Sequence, residues 1–207
     1  MDERSKRIIE TAVQLAERDG FAAVRLRDVA AQAEVALGTV YRRFPTKESI
    51  LVAALARESK QLQQLLSNDL PEGESRLERI SAFFSIATRG LLSKPHLARA
   101  LLRSVASADP EVTPKVAGFH GQISQLIRAA MRGERPDPPT EEDEPVPLVE
   151  RPPLVDLSDP EDAVSFILQQ IWFASLVGWA SGLHDEAMVV EYVETAAKLL
   201  LKGMQDP

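Results

Sequence analysis

The stretch Val35-Ala36-Leu37-Gly38-Thr39-Val40-Tyr41-Arg42-Arg43-Phe44-Pro45-Thr46-Lys47-Glu48-Ser49-Ile50-Leu51 holds a short helix, a break and the start of a longer helix. Val40, Tyr41 and Phe44 recur at helical spacing and stop before Pro45, which disfavours helix in the residue preceding it. Just upstream, Leu26, Val29, Ala30 and Ala33 give about two turns of a second short helix. Two short helices joined by a tight turn predict a helix-turn-helix. On the far side Thr46 is a good N-cap, and Lys47-Glu48 open a longer helix reaching about Leu66. Its apolar stripe is Ile50, Leu51, Ala54, Leu55, Leu62 and Leu65.

Helical periodicity extends outward in both directions. Ile8, Ile9, Ala12, Val13, Leu15 and Ala16 repeat at i, i+3, i+4 and i+7, so a first helix runs from about Arg4 to Asp19, with Gly20 as its stop. After the breaker Asp69-Leu70-Pro71-Glu72-Gly73, helical patterns resume at about 74 to 93, 95 to 107 and 113 to 132. Ser158-Asp159-Pro160-Glu161 combines a cap, a proline at the first helical position and acids in the first turn; it opens a helix to about Leu183. A last helix spans about 185 to 203. The expected fold is all-α, with about nine helices: a three-helix helix-turn-helix domain over residues 1–48 and a larger helical domain over 49–207.

Composition narrows the function. The chain has 207 residues, 44% of them hydrophobic, which suffices for a core without staples. With no cysteine there is no disulfide framework, Cys nucleophile or thiolate metal site. The opening residues carry charges every few positions, and no run resembles a signal peptide or a membrane span, so a cytoplasmic protein with no membrane partner is expected. A net charge of -7 would argue against nucleic acid, since a phosphate backbone needs Lys and Arg to replace counterions. The charge is unevenly divided, however. Residues 1 to 60 hold 11 basic against 9 acidic residues, a net of +2, and the remainder holds 13 against 22, a net of -9. Residues 134 to 158 alone contain seven of the 14 prolines and eight acids against two arginines, the composition of a solvated, partly disordered loop. The acid run Glu141 to Glu144 is read as plain solvation rather than a cation site, for nothing in a Pro-rich segment preorganises it.

The quoted segment, with Arg27-Asp28-Val29-Ala30 upstream of it, resembles the signature of TetR-family transcriptional repressors: a turn, a short recognition helix of the form Gly-Thr-hydrophobic-Tyr-x-x-Phe, then a Lys opening the next helix. The resemblance implies that Leu37, Gly38, Thr39, Tyr41 and Arg42 project toward DNA while Val40 and Phe44 face a small core. Gly38 lets the backbone approach the duplex, Thr39 and Tyr41 offer hydroxyls to phosphates, and Arg42 reaches a guanine edge or a phosphate. Arg43 and Lys47 are expected phosphate contacts, and Arg25 and Arg27 clamp a neighbouring phosphate. Similar proteins usually carry Ser or Thr caps where this chain has Arg25 and Ala36, and often Gly where it has Glu34. The stretches Lys94-Pro95-His96-Leu97 to Ser107-Ala108-Asp109, and Ile171-Trp172 to Gly178-Trp179, are also similar to actinobacterial repressors of cholesterol catabolism.

The resemblance further implies a variable C-terminal domain that binds a small molecule. Phe83, Phe84, Ala87, Leu91, Leu101 and Val105 supply large apolar side chains to a candidate lining, joined by Phe119, Ile123, Leu126, Trp172, Phe173 and Leu176. The same residues serve equally well as a filled core. If they form a pocket, it is apolar with few polar anchors, among them Arg103 and Gln169 or Gln170, and suits a lipid, a steroid or an acyl thioester. The last two helices are apolar beyond one stripe, which suggests a homodimer interface built as a four-helix bundle. No cofactor or metal site is implied. Two other readings compete: a DNA-binding regulator without a small-molecule ligand, and a helical enzyme or interaction module. The enzyme reading would rest on His96, His120 and His184, which lie on separate helices or loops without a catalytic motif.

Overall fold

The computed structural model describes residues 2–107, 112–139 and 157–204. Among them there are nine α-helices, one 3-10 turn and no strand. The helices are α1 (Glu3–Asp19), α2 (Leu26–Gln32), α3 (Leu37–Arg43), α4 (Lys47–Asn68), α5 (Arg76–Leu92), α6 (Pro95–Val105), α7 (Thr113–Arg132), α8 (Pro160–Ala180) and α9 (Glu186–Gly203), with the 3-10 turn Phe21–Ala23 between α1 and α2. Most of the expected loop, and the acid run within it, lie outside the described residues; Glu134 to Pro139 form neither helix nor strand.

The chain divides into two compact units. One is built from residues up to Glu58 together with Lys94–Phe119, the other from Ser59–Ser93, His120 onward in α7, and the C-terminal helices. In the first unit α1 begins at the cap Asp2, whose carboxylate accepts from the Ser5 backbone N–H at 2.9 Å, and it ends at Gly20 with φ 77°. Its buried face is Ile8, Ile9, Ala12, Val13, Leu15 and Ala16. The stripe read from the sequence is therefore the packed one. Thr46 caps α4 as expected: its hydroxyl accepts from the Ser49 N–H at 3.1 Å. Along α4 the later stripe differs by one position. Leu66 is buried and Leu65 is half exposed, because i+3 and i+4 from Leu62 are equally compatible with one helix face and only the packing partner chooses between them.

In the second unit α5 begins with a reciprocal capping box between Ser75 and Glu78. Hydrogen bonds from the Ser75 and Glu74 backbones hold the Glu78 carboxyl below its usual range. Arg79 then closes the other end of the packing partner, donating to the terminal α7 carbonyls of Ala130 (3.1 Å) and Met131 (2.9 Å). Pairings fix helix directions. Arg76–Glu161 and Thr88–Trp172 make α5 and α8 parallel, while Ser124–Gln169 and Arg128–Asp162 make α7 and α8 antiparallel. Asp159 caps α8 through the N–H groups of Glu161 and Asp162, with Pro160 at the first helical position. α8 stops at Ala180, three residues short of the expected end, because Gly182 at φ 77° lets the Leu183 N–H turn back to the Gly178 carbonyl at 3.0 Å.

Candidate nucleic-acid interface and effector-domain core

α2 and α3 are each seven residues long, and the turn between them closes on its own backbone. The Val35 N–H reaches the Ala30 carbonyl at 3.0 Å, which requires a left-handed residue at the intervening position. That residue is Glu34, at φ 54°. The departure noticed in the sequence, Glu for Gly, thus falls where a side chain is least welcome. Neither Arg25 nor Ala36 provides a side-chain cap, so the N-termini of α2 and α3 keep unsatisfied N–H groups.

The faces of α3 divide cleanly. Val40 and Phe44 are buried, while Leu37, Gly38, Tyr41 and Arg42 are exposed, Tyr41 by 53%, and Thr39 is half-buried. A Cβ added at Gly38 would meet nothing within 4 Å. Its glycine is therefore not demanded by internal packing, although glycine weakens a helix. Arg25, at the N-cap position of α2, and Arg27, in its first turn, are also exposed.

Two expected phosphate contacts are engaged inside the unit. Arg43 donates from both terminal nitrogens to the Asp2 carboxylate, at 2.8 and 2.5 Å, and to the Ser5 hydroxyl at 2.7 Å. This bidentate pair ties the end of α3 to the start of α1. The Ser5 N–H and hydroxyl, then Arg43, hold the Asp2 carboxyl down to about 2 from 3.8. Lys47 places its ammonium 3.8 Å from the centre of the Phe21 ring and 3.5 Å from the Phe21 carbonyl. Arg103, expected as a polar anchor in the effector domain, instead lies over the same ring at 4.4 Å, within the first unit.

The candidate effector residues separate between the units. Leu101, Val105 and Phe119 fall in the first. In the second, Phe83, Phe84, Ala87, Ile123, Leu126, Trp172 and Leu176 are buried, and Leu91 and Phe173 are half-buried. Phe84 packs edge-to-face on Phe83 and stacks at a tilt on Trp172, with centroids 5.0 and 5.7 Å apart. The Trp172 indole donates to the Thr88 hydroxyl at 2.9 Å.

Polar groups also cross this core. Gln169, 2% exposed, accepts the Ser124 hydroxyl at 2.8 Å and donates to the His120 carbonyl at 3.1 Å and to His120 Nδ1 at 2.7 Å. Since that amide nitrogen can only donate, Nδ1 is an acceptor and the ring proton sits on Nε2. Burial pushes the His120 pKa down, which keeps the ring neutral. Sequence reasoning found His120 and Gln169 separately but not their union, and it missed Thr88, Ser124, Asp2 and Phe21. Ser, Thr and Asp are ordinary surface residues by type, and only the fold brings them to partners.

No group of three or more potential metal ligands occurs among the described residues. By length and composition α8 could cross a membrane, yet Val164, Leu168, Trp172 and Leu176 on one of its faces are buried within the second unit.

A short exposed helix set against a tight turn, in a chain whose second helical unit has an apolar core, defines a helix-turn-helix DNA-binding regulator. Comparison with known proteins agrees. Residues 8–54 match the family model for bacterial regulatory proteins of the tetR family, and residues 73–149 match the tetracyclin repressor-like C-terminal domain. The HTH-type transcriptional repressor KstR of Rhodococcus jostii is 32% identical over 199 residues, 96% of this chain and 83% of that protein. The chain belongs to the TetR family. Among solved structures, a TetR transcriptional regulator from Rhodococcus sp. RHA1 superposes with a TM-score of 0.76 at 24% identity, covering 96% of this chain and 95% of that one. Thermus thermophilus FadR in complex with lauroyl-CoA superposes at 0.68 with 20% identity, covering 97% and 94%.

Proposed function

We propose that the chain is a cytoplasmic repressor that binds a palindromic operator as a homodimer and is released by a hydrophobic small molecule. The observation that carries the DNA-binding part is the outer face of α3, where Leu37, Tyr41 and Arg42 stand exposed around a Gly38 with open space beside it. Arg42 and Tyr41 meet base edges and phosphates, Thr39, Arg25, Arg27 and Lys47 meet phosphates, and Gly38 admits the duplex. Arg43 serves this interface by locking the end of α3 to α1 rather than as a free cation.

The effector reading rests on the second unit. Its core joins large apolar side chains to the His120–Gln169–Ser124 string centred on the buried Gln169, a composition suited to a lipid, a steroid or an acyl-CoA-like molecule. The division of labour is a DNA-binding domain to about residue 48 and an effector and dimerisation domain beyond it. An effector that prefers one of two dimer states shifts the spacing of the recognition helices away from one helical turn of DNA, about 34 to 36 Å, and so lowers operator affinity.

The test is a mobility shift on the DNA flanking the chain's own gene, repeated over a salt series. A salt-dependent shift that disappears in the double variant Arg42→Ala/Tyr41→Ala is expected. Unchanged binding by that variant removes α3 from the interface.

A further inference from the structure

The 3-10 turn Phe21–Ala23 has no fully buried residue, and the half-buried Phe21 ring is flanked by charged groups. Two cations lie against it. The Lys47 ammonium, from the first residue of α4, is 3.8 Å from the ring centre, and the Arg103 guanidinium, near the end of α6, is 4.4 Å from it. The two charges are therefore no further apart than the sum of those distances, which is about one Debye length at physiological salt. Neither has a carboxylate partner among the described residues, whereas Lys94, at the other end of α6, pairs with Glu17 of α1 at 3.5 Å.

Like charges held close without a neutralising acid repel each other, and the attraction of both to one aromatic ring, with the Lys47 hydrogen bond to the Phe21 carbonyl, offsets that repulsion. We infer that Phe21 is a positioning residue for DNA binding: its ring fixes the Lys47 ammonium in place for a backbone phosphate, while Arg103 clamps the ring from α6. This rests on the reading of Lys47 as a phosphate contact. A phosphate supplies the anion that the pair lacks, and an ammonium already confined loses less side-chain freedom on meeting it. Leucine at position 21 would preserve the apolar volume of the turn and lose the quadrupole.

The experiment uses the full chain and a fluorescently labelled duplex of mixed sequence, with anisotropy followed across a sodium chloride series. Lys47→Met is expected to lower the slope of log affinity against log salt by about 0.9 per protomer, the release expected from one phosphate contact. Phe21→Leu is expected to weaken binding about two- to fivefold per protomer, the range a cation–π contact corresponds to, and Phe21→Trp to retain it. Mono-, di- and trifluorophenylalanine at position 21 keep the ring's size and should weaken binding in graded order, a dependence that a purely structural role for the ring does not produce. In a Lys47→Met background Phe21→Leu should cost nothing more. The same loss from Phe21→Leu with and without Lys47, or a flat fluorination series, overturns the positioning role while leaving Lys47 as a contact. An unchanged salt slope in Lys47→Met overturns the contact itself, and the inference with it.

Discussion

Individual residues carry the division between holding the fold and meeting DNA. Gly38 sits in a seven-residue helix with open space where its Cβ would be, so Gly38→Ala should stabilise the folded chain by about 0.5–1 kcal/mol. Its thermal midpoint should rise by a few degrees while operator affinity in a mobility shift falls; a variant that binds as well as the parent would show that the duplex does not approach there. Asp2 is the opposite case, committed inward to Ser5 and Arg43. Its carboxyl titrates at about 2 in the fold against 3.8 ordinarily, so the stability it contributes is fully present above 3.8 and is lost as pH falls through about 2. The gap in thermal midpoint between the parent and Asp2→Ala should therefore stay constant above about pH 4 and close as the pH falls below it; a gap that persists at pH 2 would mean that the carboxylate is not its source. Sequence supplied Gly38 through its motif. It could not supply Asp2, whose partner Arg43 is 41 positions away.

At the scale of elements, three helices end in the same way, with an N–H turning back to the carbonyl five residues earlier through a left-handed position. α7 and α8 place Gly133 and Gly182 there, and α2 places Glu34. The left-handed region costs a side-chain-bearing residue about 1–2 kcal/mol. Glu34→Gly should accordingly raise the midpoint of a urea or thermal melt by an increment corresponding to roughly 1 kcal/mol, with little effect on the slope of the melt. No gain would mean that the turn relaxes around the glutamate at no cost. Helix positions were legible because apolar period and caps agree along the chain: Asp159-Pro160 starts α8 and Gly20 stops α1, as the residues themselves demand. The one-residue shift in the α4 stripe and the short 3-10 turn were not legible, since both depend on which neighbour the helix meets.

For the whole molecule, the C-terminal helices present more apolar surface than their own unit buries. α9 buries Val189, Val193 and Ala197 yet leaves Leu199 69% exposed, and α8 leaves Ile167 and Val177 exposed. As the proposed dimer face this surface should fail when charged: Val177→Asp/Leu199→Asp is expected to halve the mass seen by light scattering and to weaken operator binding steeply, because one protomer then engages one half-site. A charged variant that remained dimeric would place the interface elsewhere. Sequence by itself determined the all-helical fold and the helix-turn-helix, and through its motif the outward face of α3, because apolar period and residue pattern over a few residues carry them. Only the tertiary structure decided that Arg43 locks onto Asp2, that Lys47 and Arg103 share the Phe21 ring, and that His120, Gln169 and Ser124 form one hydrogen-bonded string. Each of those contacts joins residues distant in the chain, and a side chain's type states what it can bond to while packing alone states what it meets.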